Sequence, residues 1–235
     1  MQWTMEQASS YAGDVDALVL LIAVTVFIWF FLVQGMFFWL LWRYRHREGV
    51  RAQYVTGDEH HLHRWITIPH NIIIVCDLVI IAAAIFVWYE VKQDLPQADE
   101  TVRIVAQQWA WTFVLPGADG ELDTEDDIAT VDEFHVEVGR TYHFQLESRD
   151  VLHSFSVPVF RLKQDAVPGR RIVGWFEPTL EGQYDVQCAE ICGIGHGVMG
   201  ARIFIESHDE HARWLEQAAH GAVALGERPA APAAD

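Results

Sequence analysis

Residues Gln187–Met199 read QCAEICGIGHGVM. This stretch sets Cys188, Cys192, His196 and Met199 at spacings of four, four and three on a glycine-rich loop. Two thiolates, an imidazole and a thioether are soft-to-borderline donors suited to copper. Two nearby cysteines in an exported domain would first suggest a disulfide. The histidine and methionine beside them point to a metal instead.

The segments flanking the loop alternate apolar and polar residues, with turn residues between them. Strands are expected over Thr101–Leu115, Phe134–Val138, Thr141–Glu147, His153–Val157, Arg171–Phe176, Gln183–Gln187 and Val198–Glu206. In the third of these, Tyr142, Phe144 and Leu146 alternate with Thr141, His143 and Gln145. That pattern predicts an all-β Greek-key sandwich, and a ligand loop between two of its strands is how such a sandwich builds a cupredoxin-like site. Asp150–Phe155, DVLHSF, offers a further ligand in His153, thirty-five residues before Cys188. A blue site takes a single cysteine with two histidines and an axial methionine. This chain has one cysteine too many for that, which points to two coppers sharing bridging thiolates. Ser207 and Glu210 have the form of a capping box, so a short helix over residues 208–219 is expected to close the domain.

The N-terminal part is of another kind. Ala17–Trp42 is an apolar run interrupted only by Thr25, Gln34 and Gly35, and Trp65–Tyr89 is a second. Each exceeds the roughly 20 residues that cross a bilayer core. A cleavable signal peptide fits poorly, because the flank before the first run is acidic and the basic residues follow it. Arg43, Arg45, Arg47, Arg51 and Arg64 lie between the runs, which predicts a cytoplasmic loop with both termini outside. The expected organisation is a transmembrane helical hairpin over residues 1–92, with helices about 17–42 and 65–89. An extracytoplasmic domain over 93–225 and a disordered tail over 226–235 follow. Asp77 lies near the middle of the second run, in line with His63 and His70 at intervals of seven. A carboxyl at that depth is costly without a partner. It reads either as a face packed on another subunit, touching a proton path, or as a protonated group bonded within the hairpin.

The formal charge of −17 divides unevenly, −2 over residues 1–92 and −15 over the remainder. Clustered basic charge for phosphate contacts is missing, so nucleic-acid binding is excluded. Between Asp119 and Glu133 stand eight carboxylates (Asp119, Glu121, Asp123, Glu125, Asp126, Asp127, Asp132, Glu133) with no Lys or Arg among them. They read as a docking face for a cationic partner. Competing readings are a solvated loop and a calcium loop at Ala118–Asp127, although full EF-hand spacing is lacking.

With these segments in view, the chain resembles subunit II of the haem–copper cytochrome c oxidases over nearly its whole length. The copper loop, Gln108–Phe113 (QWAWTF), Asp150–Val157 (DVLHSFSV) and Leu162–Arg170 (LKQDAVPGR) stand in the family's order. The resemblance implies a dinuclear copper A centre bridged by Cys188 and Cys192. One copper would add His153 and a weak axial Met199, the other His196 and the backbone carbonyl of Glu190. The Glu190 side chain would help to hold magnesium against the catalytic subunit. Trp109 would be the residue through which electrons enter. In a regular strand Trp109 and Trp111 face the same way, so only the motif separates that role from an ordinary core aromatic.

The implied activity is that of an oxidase subunit taking electrons from a soluble or membrane-anchored c-type cytochrome. It would pass them to haem in subunit I for oxygen reduction coupled to proton translocation. The implied location is the bacterial cytoplasmic membrane, with the C-terminal domain periplasmic. Two departures stand out. Leu62 occupies the position of a proton-uptake glutamate found in many members, and no C-x-x-C-H haem-attachment motif follows Glu206. A copper A subunit of a nitric-oxide reductase, a membrane-anchored copper carrier, and an anchor stapled by a Cys188–Cys192 disulfide remain as alternatives.

Overall fold

The computed structural model describes residues 5–51 and 55–226. The tail expected to be disordered lies outside the described residues from 227 onward. The chain divides into two units, one spanning residues 14–90 and the other the β region together with the segment before residue 14.

The first unit is a helical pair, α1 (Ala12–Arg43) and α2 (His60–Trp88), the latter running into a wider turn at Tyr89–Gln93. Both helices exceed their apolar runs by about a turn. Asp14 in the first turn of α1 and Arg43 in its last suit the helix dipole, a signal that hydropathy ignores. Pro69 is the tenth residue of α2.

The second unit is a sandwich of two five-stranded sheets. Its strands are β1 (Glu100–Gln107), β2 (Ala110–Leu115), β3 (Ile128–Val131), β4 (Glu133–Glu137), β5 (Tyr142–Ser148), β6 (His153–Val157), β7 (Leu162–Ala166), β8 (Ile172–Phe176), β9 (Gly182–Cys188) and β10 (Gly200–Glu206). One sheet runs β3-β2-β1-β5-β8 and the other β4-β10-β9-β6-β7. The alternation of β5 buries Tyr142, Phe144 and Leu146 as expected. Across the interior, Phe113 of the first sheet stacks on Phe134 of the second at 4.5 Å between ring centroids. Each aromatic so buried removes about 150–250 Å² from water. Gly174 is required here, because a Cβ would lie 2.3 Å from the Phe144 ring.

The strand expected over Thr101–Leu115 is in fact a hairpin. β1 and β2 pair antiparallel up to Gln107 opposite Ala110, with Gln108 and Trp109 forming the turn. The turn breaks the parity that would have put both tryptophans on one face. Trp111 is fully buried while Trp109 is 39% exposed.

Residues 8–11 cross the sandwich as a strap. Ala8 donates to Val159 O, Ser9 Oγ to Phe160 O, and Thr179 donates back to Ala8 O. Tyr11 is buried edge-on to Trp175. Residues 5–13 therefore go with the sandwich and not with the hairpin expected over residues 1–92. A helix α3 (His208–Gly226) closes the other side, longer than expected, and Glu210 accepts from both the Ser207 N–H and its hydroxyl. Beneath it Glu206 bridges His135 and His211, and His135 is stacked between Phe204 and Trp214.

Candidate metal centre

β9 ends at Cys188 and β10 begins at Gly200, so the loop between them emerges at one end of the second sheet. β6 lies beside β9, with Phe155 opposite Cys188, which brings His153 to the same end. Cys188 and Cys192 are buried free thiols with their sulfurs 3.7 Å apart. His153 Nδ1 lies 3.9 Å from the Cys188 sulfur and His196 Nδ1 3.7 Å from the Cys192 sulfur. Met199 Sδ stands 3.7 Å from Cys192 and the Glu190 carbonyl 3.2 Å from Cys188. Ligand atoms of His153, Cys188 and Cys192 all fall within 4.8 Å of one another, a cluster able to hold a metal ion. Burial first, and then Cys188, pushes the Cys192 thiol up to about 11, so metal uptake has to displace a proton there.

Two residues that sequence reasoning passed over organise this cluster. Asp150 Oδ1 lies 2.8 Å from His153 Nε2, while its other oxygen accepts the Gln108 N–H at 2.7 Å. A carboxylate only accepts, so Nε2 carries the ring proton and Nδ1 turns its lone pair toward Cys188. Burial works to raise the Asp150 carboxyl, but the Gln108 N–H, the His153 ring and the Val151 N–H outweigh it and hold it below its usual range. Gln108 Nε2 in turn donates to the Cys192 carbonyl at 2.7 Å, and Trp109 Nε1 donates to the same oxygen at 3.3 Å. The signals were Asp150 three residues before His153 and Gln108 beside Trp109, but neither spacing reveals a hydrogen bond.

The Trp109 ring rests on the ligand loop. A Cβ on Gly195 would sit 2.4 Å from Trp109 Cδ2, so only glycine admits this approach. Gly193, at φ +123°, is the other position where the loop needs glycine. Beyond the ring, Ile191, Ile194 and Val198 project into solvent, 81%, 97% and 85% exposed.

The acidic stretch does not form one face. Asp132 is at the Trp109 end of β2, accepting the Trp111 N–H at 2.8 Å, and Glu133 opens β4 beside Arg202 of β10. The Asp119–Asp127 loop leaves the opposite end of β2, about 17 Å away by strand length. Arg103 of β1 pairs there with Asp123 at 2.7 Å, a partner invisible in the local sequence.

A cupredoxin-like sandwich with a thiol, imidazole and thioether cluster able to hold a metal ion, following two helices long and apolar enough to cross a membrane, defines the class of a membrane-anchored protein with a candidate metal centre. Residues 100–207 match the family "Cytochrome C oxidase subunit II, periplasmic domain". The chain is 30% identical to "Alternative cytochrome c oxidase subunit 2" of Bradyrhizobium diazoefficiens, covering 92% of this chain and 83% of that one. It is 31% identical to "Cytochrome c oxidase subunit 2" of Cereibacter sphaeroides, over 92% and 78%. Among solved structures, the periplasmic domain of cytochrome oxidase subunit II from Bradyrhizobium japonicum matches at a TM-score of 0.49 and 28% identity, over 55% of this chain and 99% of that one. The chain belongs to the cytochrome c oxidase subunit 2 family, a subunit of haem–copper oxidases.

Proposed function

We propose that this chain is the electron-input subunit of its oxidase, taking electrons from a c-type cytochrome and relaying them toward haem in the catalytic subunit. The observation that carries the reading is the pair of thiols 3.7 Å apart, flanked by an imidazole nitrogen on either side. Thioether and carbonyl donors complete a set suited to copper. Cys188 and Cys192 would hold a copper pair between them, with His153 and Met199 on one metal and His196 and the Glu190 carbonyl on the other. Copper bound there supplies reversible one-electron transfer.

The protein's own part is positional. Asp150 fixes the ring and tautomer of His153, and Gln108 ties the β1–β2 turn to the ligand loop. Trp109 offers a half-exposed ring joined through its N–H to the carbonyl of Cys192. Ile191, Ile194 and Val198 give the loop an apolar surface suited to coverage by a partner. The Glu190 carboxylate supplies hard oxygen for magnesium beside the catalytic subunit. A cationic cytochrome would be steered by carboxylates at the Trp109 end, Asp132 and Glu133 first. The arginines between the helices favour a cytoplasmic loop, so the sandwich would lie on the outer side of the bacterial cytoplasmic membrane.

Electron paramagnetic resonance on the copper-loaded full chain in detergent tests the assignment. Two coppers per chain sharing one unpaired electron is the expected result. A single-copper type-1 or type-2 spectrum overturns it.

A further inference from the structure

α3 lies over β3, β4 and β10, and one carboxylate ties it to them. Glu206, at the end of β10, holds His135 of β4 through Oε1 at 2.9 Å and His211 of α3 through Oε2 at 3.2 Å. Both imidazoles are buried, and both meet Glu206 through Nδ1. A carboxylate only accepts, so each ring carries a proton on Nδ1. Trp214, one turn further along α3, stacks on His135 at 4.1 Å between ring centroids.

The other nitrogen of His211, Nε2, is buried with no hydrogen-bond partner among the described residues. A second proton on this ring would put an N–H and a positive charge there with no acceptor to receive them, which a buried site penalises. Burial is the largest influence and holds the His211 pKa below the ordinary histidine value, with Glu206 and then Glu137 pulling the other way and Arg140 adding to the depression.

The remaining charged groups around His211 do not offset this. β3 carries no titratable residue. On β4, Glu133 is exposed, and Glu137 is engaged by Arg140 at 3.5 Å and by His208 of α3 at 2.9 Å. The His208 side chain is 79% exposed, so its ion pair gains little on acidification. On β10, Arg202 is paired with Asp185 at 2.9 Å. On α3 itself Asp209, Glu210, Arg213 and Glu216 are exposed. A proton on His135 would strengthen its own bond to Glu206 and leave less of that carboxylate's attraction for His211.

We propose that α3 is a proton-operated latch: with His211 neutral it seats over β4 and β10, and protonation of His211 releases it and uncovers His135 and Phe204. Once released, His211 meets water and takes up its proton at the ordinary value near 6.5. The released form therefore binds more protons than the seated one as pH falls through that value, and seating weakens; above it the latch is at full strength. The latch is independent of the copper assignment.

Hydrogen–deuterium exchange of the full chain in detergent tests it. Protection factors for α3 peptides remove the pH dependence of intrinsic exchange, and β1 peptides serve as the internal reference. Uptake of one proton should lower α3 protection by up to about tenfold between pH 7.5 and 5.5, with β1 unchanged. His211→Gln keeps a neutral donor toward Glu206 and has nothing to titrate, so its α3 protection should be equal at the two pH values, even if glutamine seats α3 less firmly at both. His208→Gln should keep the parent's response. A parent chain whose α3 protection is flat across this range, or a His211→Gln chain that keeps the parent's response, overturns the proposal.

Discussion

Gly195→Ala probes the contact between Trp109 and the ligand loop most directly. Gly195 has φ −88° and ψ 6°, a backbone open to alanine, so the substitution acts through the new methyl group alone. That methyl would lie 2.4 Å from Trp109 Cδ2 and 2.5 Å from Cγ, where ordinary contact begins near 3.4 Å. The ring must back away by about 1 Å. The Trp109–Cys192 hydrogen bond, already 3.3 Å, is then lost. Overpacking of this kind costs about 1–3 kcal/mol, and the hydrogen bond about 0.5–1.5. Melting of the sandwich, followed by near-ultraviolet dichroism, should fall by about 3–10 °C. Cytochrome c oxidation should slow while the copper spectrum is preserved. In a Trp109→Ala background the methyl meets open space, so the same substitution should cost less than about 0.5 kcal/mol. An equal cost in both backgrounds, or none in either, would refute the reasoning.

Asp150→Asn should raise the copper dissociation rate about 10–100-fold, the usual range for partners of metal-ligating histidines, as measured by chelator competition. Because the Asp150 carboxyl is depressed in the folded chain, its support of His153 is complete above the ordinary carboxyl range near pH 4 and fades as pH falls through the lower folded value. Chelator-driven loss should accelerate on acidification in the parent chain, and an asparagine chain whose acid dependence is unchanged contradicts this. Glu133→Gln should lower the low-salt association rate of a cationic cytochrome severalfold. Neutralising Asp119, Glu121 and Glu125 together should change it little, because their loop stands about two Debye lengths from Trp109. A larger effect from the loop would relocate the docking face.

The candidate metal cluster was legible because five of the six groups that gather there fall within the thirteen residues Gln187–Met199. The two apolar helices were legible because the few polar residues in their runs, such as Thr25 and Gln34 in one and His70, Asn71 and Asp77 in the other, are too sparse to break them. What escaped was set by contacts distant in sequence. Gln108 and Trp109 carry no turn signature, so the hairpin at that point is visible only once β1 and β2 are paired. β3 is four residues set among carboxylates, and β7 reads as a polar run because its side chains are only partly covered. Asp150 and Gln108 act through hydrogen bonds that span 42 and 84 residues, beyond the reach of any local pattern.

The strap at Ala8–Tyr11 bears on how the chain is made. Tyr11 donates to Trp175 O across 164 positions, so a piece of the sandwich leaves the ribosome long before the strands that hold it. Between the two come both apolar helices. The segment ahead of α1 must therefore wait until β8 and the Pro178 turn arrive. A bulky fusion at the leading end would compete for that seat, and the sandwich would mature only after the second span is threaded.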